Sequence, residues 1–382
     1  MTAEIRPTHS PLGASGAERW MNCPGSVALL KELTLPETDE PEYRSLGTSA
    51  HSAANECLSK DLDAWELIGH QHGKHEITHE MCEPIQTFLD ECRSLIQPES
   101  KVYLEFGIDA PDFHPDFYGT LDFGCVTGTH MAIRDYKHGE GIMVDVEWNP
   151  QVMYYAYGLL RHHPEVTEVS LGIVQPRGFH PAGPVRIWEI GADTIRQWAE
   201  GELKSAMIRT ALDKDFMPGP WCRFCPAKLV CPSLTSLFEA AMTADPTKII
   251  NITDEGIGRS YQMLAPIESY IRAFKEEALR RLIKGSDIKE LKIVAKKADR
   301  VWKPEADAVF LEKFPTEAMT EPKLRSPAQM EKIGAAAKVL VKQYAYTPES
   351  GPTVALATDK RPAITVKTVH ERFAAAVAAM EE

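Results

Sequence analysis

No run of apolar residues in this 382-residue chain approaches the ~20 that a membrane-spanning helix needs. The polar start MTAEIRPTHS also lacks the apolar stretch of a secretory signal, so a soluble, cytoplasmic protein is expected. Positive charge is scarce: 42 Lys and Arg stand against 55 Asp and Glu, for a net −13. The deficit sits in residues 1–240, with 19 basic against 35 acidic side chains, while residues 241–382 hold 23 against 20. That balance argues against a general polyanion binder and suits a site that concentrates divalent cations. There is no G-x-x-x-x-G-K-[ST] sequence, hence no obvious nucleotide-driven motor, and there is no internal repeat or long low-complexity tract. Eight cysteines without a signal peptide suggest thiols or metal ligands more than a disulfide framework. What remains is a chain 43% hydrophobic and 25% charged, long enough for two or three packed domains.

The opening SPLGASGAERWMNCPGSVALLKEL reads as a loop and then a helix, with Ser15 and Glu18 in a capping-box pattern and Pro24-Gly25 dividing it. A second helix is expected from about Thr48 and a third over roughly 78–96. KVYLEFGIDA, FYGTLDFGCVT, HMAIRDYKHG and IMVDVEW are β-rich, a helix follows from Asn149, and VTEVSLGIVQP and VRIWEI are further strands. A helix near 192–212 precedes a Cys-rich segment at 218–232. This order predicts an α/β core with a mixed sheet over residues 1–240. Residues 241–382 read as a mainly helical extension: amphipathic helices within DEGIGRSYQMLAPIESYIRAFKEEALRRLIKG, then a basic stretch, then an Ala-rich helix at ERFAAAVAAMEE.

The segment GTLDFGCVTGTHMAIRDYKHG is the most informative. Gly128-Thr129 suits a two-residue type II′ turn, and that register sets Asp122 opposite Asp135 on one side of the sheet. Lys137 points to the same side. Opposed carboxylates are costly unless a positive group sits between them. Mg²⁺ or Mn²⁺ meets that need and serves phosphodiester hydrolysis, with Lys137 beside it to position water or offset developing charge. A solvent-facing Asp/Lys ladder is the plain alternative. Asn149 is a good N-cap, Pro150 fits the first helical position, and Gln151 and Tyr155 then share a helix face. His51, in GTSAH, is a candidate third ligand.

Taken in order, Gly47-Thr48-Ser49-Ala50-His51, Gly119-Thr120-Leu121-Asp122, Asp135-Tyr136-Lys137 and Gln151 to Tyr155 resemble the RecB-like branch of the PD-(D/E)XK nuclease superfamily. The resemblance implies a restriction-endonuclease-like core. It implies that His51, Asp122, Asp135 and the Tyr136 carbonyl bind the metal, that Lys137 is catalytic, and that Gln151 and Tyr155 flank the active site near DNA. Asp135 stands where many relatives have Glu, and the family accepts both. Glu105, on the preceding strand, reads as an exposed carboxylate or an auxiliary acid.

Cys222-x₂-Cys225-x₅-Cys231, flanked by Pro and Trp, suggests a metal loop, with Cys23 as the candidate fourth thiolate. Four thiolates serve zinc or an iron–sulfur cluster alike. One early Cys-Pro and three clustered cysteines behind the nuclease motifs resemble the AddB-type and CRISPR-associated RecB-like exonucleases. That resemblance implies a structural 4Fe–4S cluster on Cys23, Cys222, Cys225 and Cys231, with zinc as the alternative. Cys57, Cys82, Cys92 and Cys125 read as packing residues. The run GHQHGKHEITHEMC reads as a solvated loop entering a helix.

Residues 272–300 carry ten basic side chains, from Arg272 to Arg300, interleaved with acids; they read as a solvated helix face or a DNA-tracking surface. The overall layout resembles an uncharacterised family of phages and prophages, placing the protein in the host cytoplasm. The expected activity is a metal-dependent, ATP-independent deoxyribonuclease attacking the ends of linear DNA in recombination or replication. The resemblance favours 5′→3′ degradation of single strands, with a single-strand annealing protein as the candidate partner. An endonuclease, or a non-catalytic DNA-binding scaffold, is the alternative.

Overall fold

The structure, a computed structural model, describes residues 9–33, 42–243, 253–289 and 291. The chain divides into two compact units, Met1–Glu277 and Ala278–Glu382. The first opens with helices α1 (Ala17–Asn22), α2 (Gly25–Glu32) and α3 (Glu42–Lys60). A two-stranded ladder of β1 (Gln71–His72) and β2 (His75–Glu76) leads into α4 (His79–Ser94). Strands β3 (Lys101–Asp109), β4 (Tyr118–Thr127) and β5 (His130–Tyr136) follow, then α5 (Pro150–Leu160), β6 (Glu168–Val174) and β7 (Val185–Gly191). Helices α6 (Ala192–Trp198) and α7 (Lys204–Leu212) are joined by a π-helical turn, and α8 (Pro232–Met242) closes the Cys-rich segment. Beyond it lie α9 (Asp254–Gln262) and α10 (Leu264–Ile283).

The five longer strands form one sheet in the order β3-β4-β5-β6-β7. All neighbours run antiparallel except β5 and β6, whose parallel pairing requires the crossover that α5 supplies. One face packs under α1, α5, α6 and α7, where Leu121, Ile133, Leu171 and Ile173 meet Trp20, Val152, Met153 and Leu203. The other packs under α3 and α4, where Phe123, Cys125 and Tyr136 meet Ala53, Ile85 and Phe88. Each fully buried large side chain contributes about 2 kcal/mol relative to exposure, so the sheet is held from both sides. This is a mixed α/β architecture, compatible with a restriction-endonuclease-like fold, with a helical C-terminal region.

Local sequence explains α5. Asn149 caps it by accepting from the Gln151 backbone N–H, and Pro150 occupies the first turn. Gly158 lets it lie against β3, because a Cβ there would fall 2.3 Å from Ile108 Cγ2.

Three expectations need correction. The Ser15/Glu18 capping box does not form; the chain enters α1 through a 3₁₀ turn at Ala14–Gly16, and the Trp20 indole donates to the Gly13 carbonyl. Helix α3 is already formed at Glu42, with Gly47 and Thr48 in its interior. IMVDVEW is not a strand: the Val144 amide donates to the Gln175 side chain and its carbonyl accepts from Arg186, so side chains take the place of a ladder. No helix among the described residues is long and apolar enough to cross a membrane. The basic residues from Lys292 onward and the Ala-rich ERFAAAVAAMEE lie outside the described residues.

Candidate functional site

The β4–β5 hairpin has the register expected from its turn. Thr127 pairs with His130 and the ladder continues to Phe123↔Arg134. Gly128 takes φ +60° while Thr129 does not enter the left-handed region, as a type II′ turn requires. Beyond Phe123↔Arg134 the Asp122 carboxylate takes over from the backbone, its Oδ2 accepting from the Tyr136 N–H at 2.8 Å. Asp122 is thereby fixed to the end of β5, next to Asp135.

Asp135, Lys137 and Gln151 form a closed set. Lys137 Nζ lies 2.8 Å from Asp135 Oδ2 and donates to Gln151 Oε1 at 2.9 Å. Gln151 Nε2 donates to Asp135 Oδ1 at 2.8 Å. The cap that starts α5 therefore also aims Gln151. Tyr155, one turn on, is buried and hydrogen-bonded to Gln151, and burial, with Asp135 and Asp122, raises its phenol. From α3, His51 Nδ1 approaches Asp122 Oδ1 at 3.3 Å. The Tyr136 ring stacks on Phe88 at 5.0 Å and its hydroxyl lies 2.8 Å from His138 Nδ1.

The electrostatics separate the two aspartates. Burial pushes the Asp135 carboxyl up despite Lys137, and the Asp122 charge adds to the rise. Burial also acts to raise Asp122, but His51, the Tyr136 amide and Lys137 hold it below the usual range. Burial alone would lower His51, yet the Asp122 charge and hydrogen bond, with Asp135, hold it up at about 9. Asp135 Oδ2 is buried against the Lys137 ammonium, so both carboxylate oxygens of Asp135 have a positive or donating neighbour. Of the expected ligands, His51 and Asp122 place ligand atoms within 4.8 Å of each other and of Glu105, and Asp135 stands outside that group; imidazole and carboxylates together suit Mg²⁺ or Mn²⁺.

Glu105, read from the sequence as an exposed carboxylate or an auxiliary acid, is exposed and lies beside these residues. Glu105 sits in the left-handed region, φ +41°, and its ligand oxygen, His51 and Asp122 lie within 4.8 Å of one another. Partial desolvation of this exposed side chain, then the Asp122 charge, push its carboxyl up to about 7. Only the β3–β4 register, which sequence alone does not supply, sets Glu105 opposite Asp122.

The four candidate cysteine ligands also come together. Cys23, between α1 and α2, joins Cys222, Cys225 and Cys231 around one cavity of about 10 Å³, and all four are buried. The Met217 amide donates to Cys23 Sγ and the Gly219 amide to Cys222 Sγ, each at 3.4 Å. Burial, reinforced by the neighbouring sulfurs, pushes Cys222 up to about 11 and also raises Cys225. Gly25 makes this closure possible: a Cβ there would fall 2.7 Å from the Lys214 and Asp215 carbonyl oxygens. The sulfurs do not form a group of three within 4.8 Å of one another. Cys57, Cys82, Cys92 and Cys125 lie in the core under α3 and α4. The histidine run is a short hairpin rather than a solvated loop, with His72 buried against Ser52 and Glu56 of α3.

Beside the N-terminus of α5 opens a groove of about 1460 Å³. Its wall includes the exposed rings of Trp148 and Phe224, basic Arg209, Arg223, Lys228 and Arg272, and acidic Glu18, Asp145, Glu147, Glu202 and Glu268.

Residues 9–362 match the family described as protein of unknown function (DUF2800), and the chain belongs to that family.

Proposed function

We propose that this member of the DUF2800 family is a metal-dependent, ATP-independent DNA exonuclease with a structural iron–sulfur cluster. The observation that carries the reading is the convergence of His51, Asp122, Asp135, Lys137, Gln151 and Tyr155 from α3, β4, β5 and α5. His51, Asp122, Asp135 and the Tyr136 carbonyl would hold the divalent cation. A bound cation supplies Lewis acidity at the phosphoryl oxygen and lowers the pKa of water. Lys137, held between Asp135 and Gln151, presents an ammonium for the negative charge that develops in the transition state. Gln151 orients Asp135 and Lys137 together, and Tyr155 orients Gln151.

Two features support a polynucleotide substrate. The groove beside the start of α5, lined by Asn149 and Pro150 and not by the six residues themselves, is larger than the roughly 300–1,000 Å³ of small-molecule pockets. Trp148 and Phe224 offer exposed rings on which bases stack without regard to sequence. For the cysteines, four buried thiols serve zinc or an iron–sulfur cluster alike, and the choice of the cluster rests on the resemblance in the order of the cysteines along the chain.

The remaining proposals are action on linear ends during phage recombination or replication, in the host cytoplasm, and supply of single strands to an annealing protein. An endonuclease, and a binding scaffold that cuts nothing, are the competing readings. Lys137→Ala tests the choice: the enzyme reading expects lost cleavage with DNA binding and fold retained. If wild type and variant both bind DNA and neither cuts, the scaffold reading stands.

A further inference from the structure

We propose that Arg19 is the counter-charge of the iron–sulfur cluster held by Cys23, Cys222, Cys225 and Cys231. The inference rests on the cluster reading above and adds a residue that the cysteine pattern does not contain. The four cysteines line one cavity together with Arg19 and Ser26, and the rest of its wall is apolar, with Leu29, Phe216 and Leu234 among it. Among the described residues Arg19 is the one charged side chain on that wall, and no carboxylate faces it there. Arg19 stands one turn before Cys23, whose amide donates to the Arg19 carbonyl at 2.8 Å. Its Nη1 donates to Ser26 Oγ at 2.6 Å, and Ser26 Oγ donates in turn to the Cys23 carbonyl at 2.6 Å. The guanidinium is thereby tied to the turn that carries the first cysteine.

The bond to Ser26 does not account for the charge. Arg19 is half-buried and forms no ion pair among the described residues. A guanidinium drawn away from water needs an anion near it, and neutral thiols supply none. Burial acts to lower the Arg19 guanidinium, while Cys225 and Cys23, as thiolates, act to hold it up. Four thiolates around a 4Fe–4S core leave a net negative charge, and Arg19 meets it across an otherwise apolar wall. Reduction adds one electron to the cluster and breaks no bond, so the negative charge grows. A cation on the same wall therefore favours the reduced form.

The test is a redox titration of the anaerobically purified full chain, with dithionite as the electron donor and the visible absorbance as the readout. Wild type, Arg19→Gln, Arg19→Lys and Lys31→Gln are compared, Lys31 being an exposed cation of α2. Arg19→Gln should lower the midpoint potential by about 59 mV, tenfold in the one-electron equilibrium constant. Arg19→Lys and Lys31→Gln should stay within about threefold of wild type. A brown, folded Arg19→Gln that also stays within about threefold overturns the inference and leaves the cluster reading in place. A Lys31→Gln variant that shifts as far as Arg19→Gln does the same. If Arg19→Gln loses the cluster absorbance, Arg19→Lys decides: absorbance retained there supports the counter-charge, and absorbance lost overturns it. A wild type without cluster absorbance overturns both the inference and the cluster reading.

Discussion

Asp122, Asp135 and Lys137 reach their places within one hairpin, whereas Cys23 meets Met217 and the other cysteines across 194 residues. Both regions gather candidate ligands from separate elements. In the hairpin this concentrates charge: two aspartates with opposite shifts and a raised histidine, held by Lys137, Gln151 and the Tyr136 amide. Around the cysteines it produces raised thiols on segments that are otherwise loops and short turns. The difference separates chemistry from architecture. The hairpin is held by the sheet between two large cores, while the cysteine segment packs in a small cluster with Leu234 and Tyr270 and, on the proposed reading, would depend on what the sulfurs bind.

Paired substitutions probe that division. Asp135→Asn should lower cleavage by on the order of 10³-fold, as loss of an electrostatic group at a reacting centre does, and move the melting temperature by only a few degrees. Cys222→Ser should do the reverse in kind. Losing a crosslink over roughly 200 residues costs about 5 kcal/mol in the chain-entropy view, so melting should fall by about 10 °C or more, with loss of visible absorbance. If Cys222→Ser melts like wild type while Asp135→Asn unfolds, the assignment of roles is inverted.

A pH series sharpens the charge side. His51 rises from 6.5 to about 9 in the metal-free protein, because the Asp122 and Asp135 charges outweigh burial. Its stabilising pairing is complete below pH 6.5 and lost as pH climbs through about 9. Mn²⁺ requires the neutral ring, so its thermal stabilisation should grow over the same interval, and His51→Ala should flatten both trends. Differential scanning fluorimetry with and without Mn²⁺ reads this directly. The smallest effect belongs to the α5 cap: Asn149→Ala should cost about 1 kcal/mol by chemical denaturation, and it should also reduce cleavage, since the same cap aims Gln151.

The hairpin was legible because a two-residue turn fixes its register as far as Phe123↔Arg134; the Asp122–Asp135 pair expected next is not in the ladder, where the Asp122 side chain accepts from the Tyr136 amide. The cap at Asn149 and the helix behind it were legible for the same local reason. Glu105 was legible as an exposed strand carboxylate, but its closeness to His51 and Asp122 was not, since that depends on the β3–β4 register and on a left-handed backbone that no residue type announced. The IMVDVEW segment has strand composition, but Gln175 and Arg186 reach it from elsewhere and occupy its backbone groups. For Cys23 the spacing offered only a candidate; the contact of Gly25 with the Lys214 and Asp215 carbonyls brings it to the other cysteines. Local rules thus reached the chemistry on the hairpin and on α5, and missed what non-neighbouring segments supply.

Cleavage of end-labelled linear DNA and a closed circle, by anaerobically purified protein with Mn²⁺ or with EDTA, tests the central claim most directly. The account predicts brown protein that degrades linear DNA with Mn²⁺, spares the circle, and stops in EDTA. Brown, folded protein that binds DNA and leaves every substrate intact would contradict it.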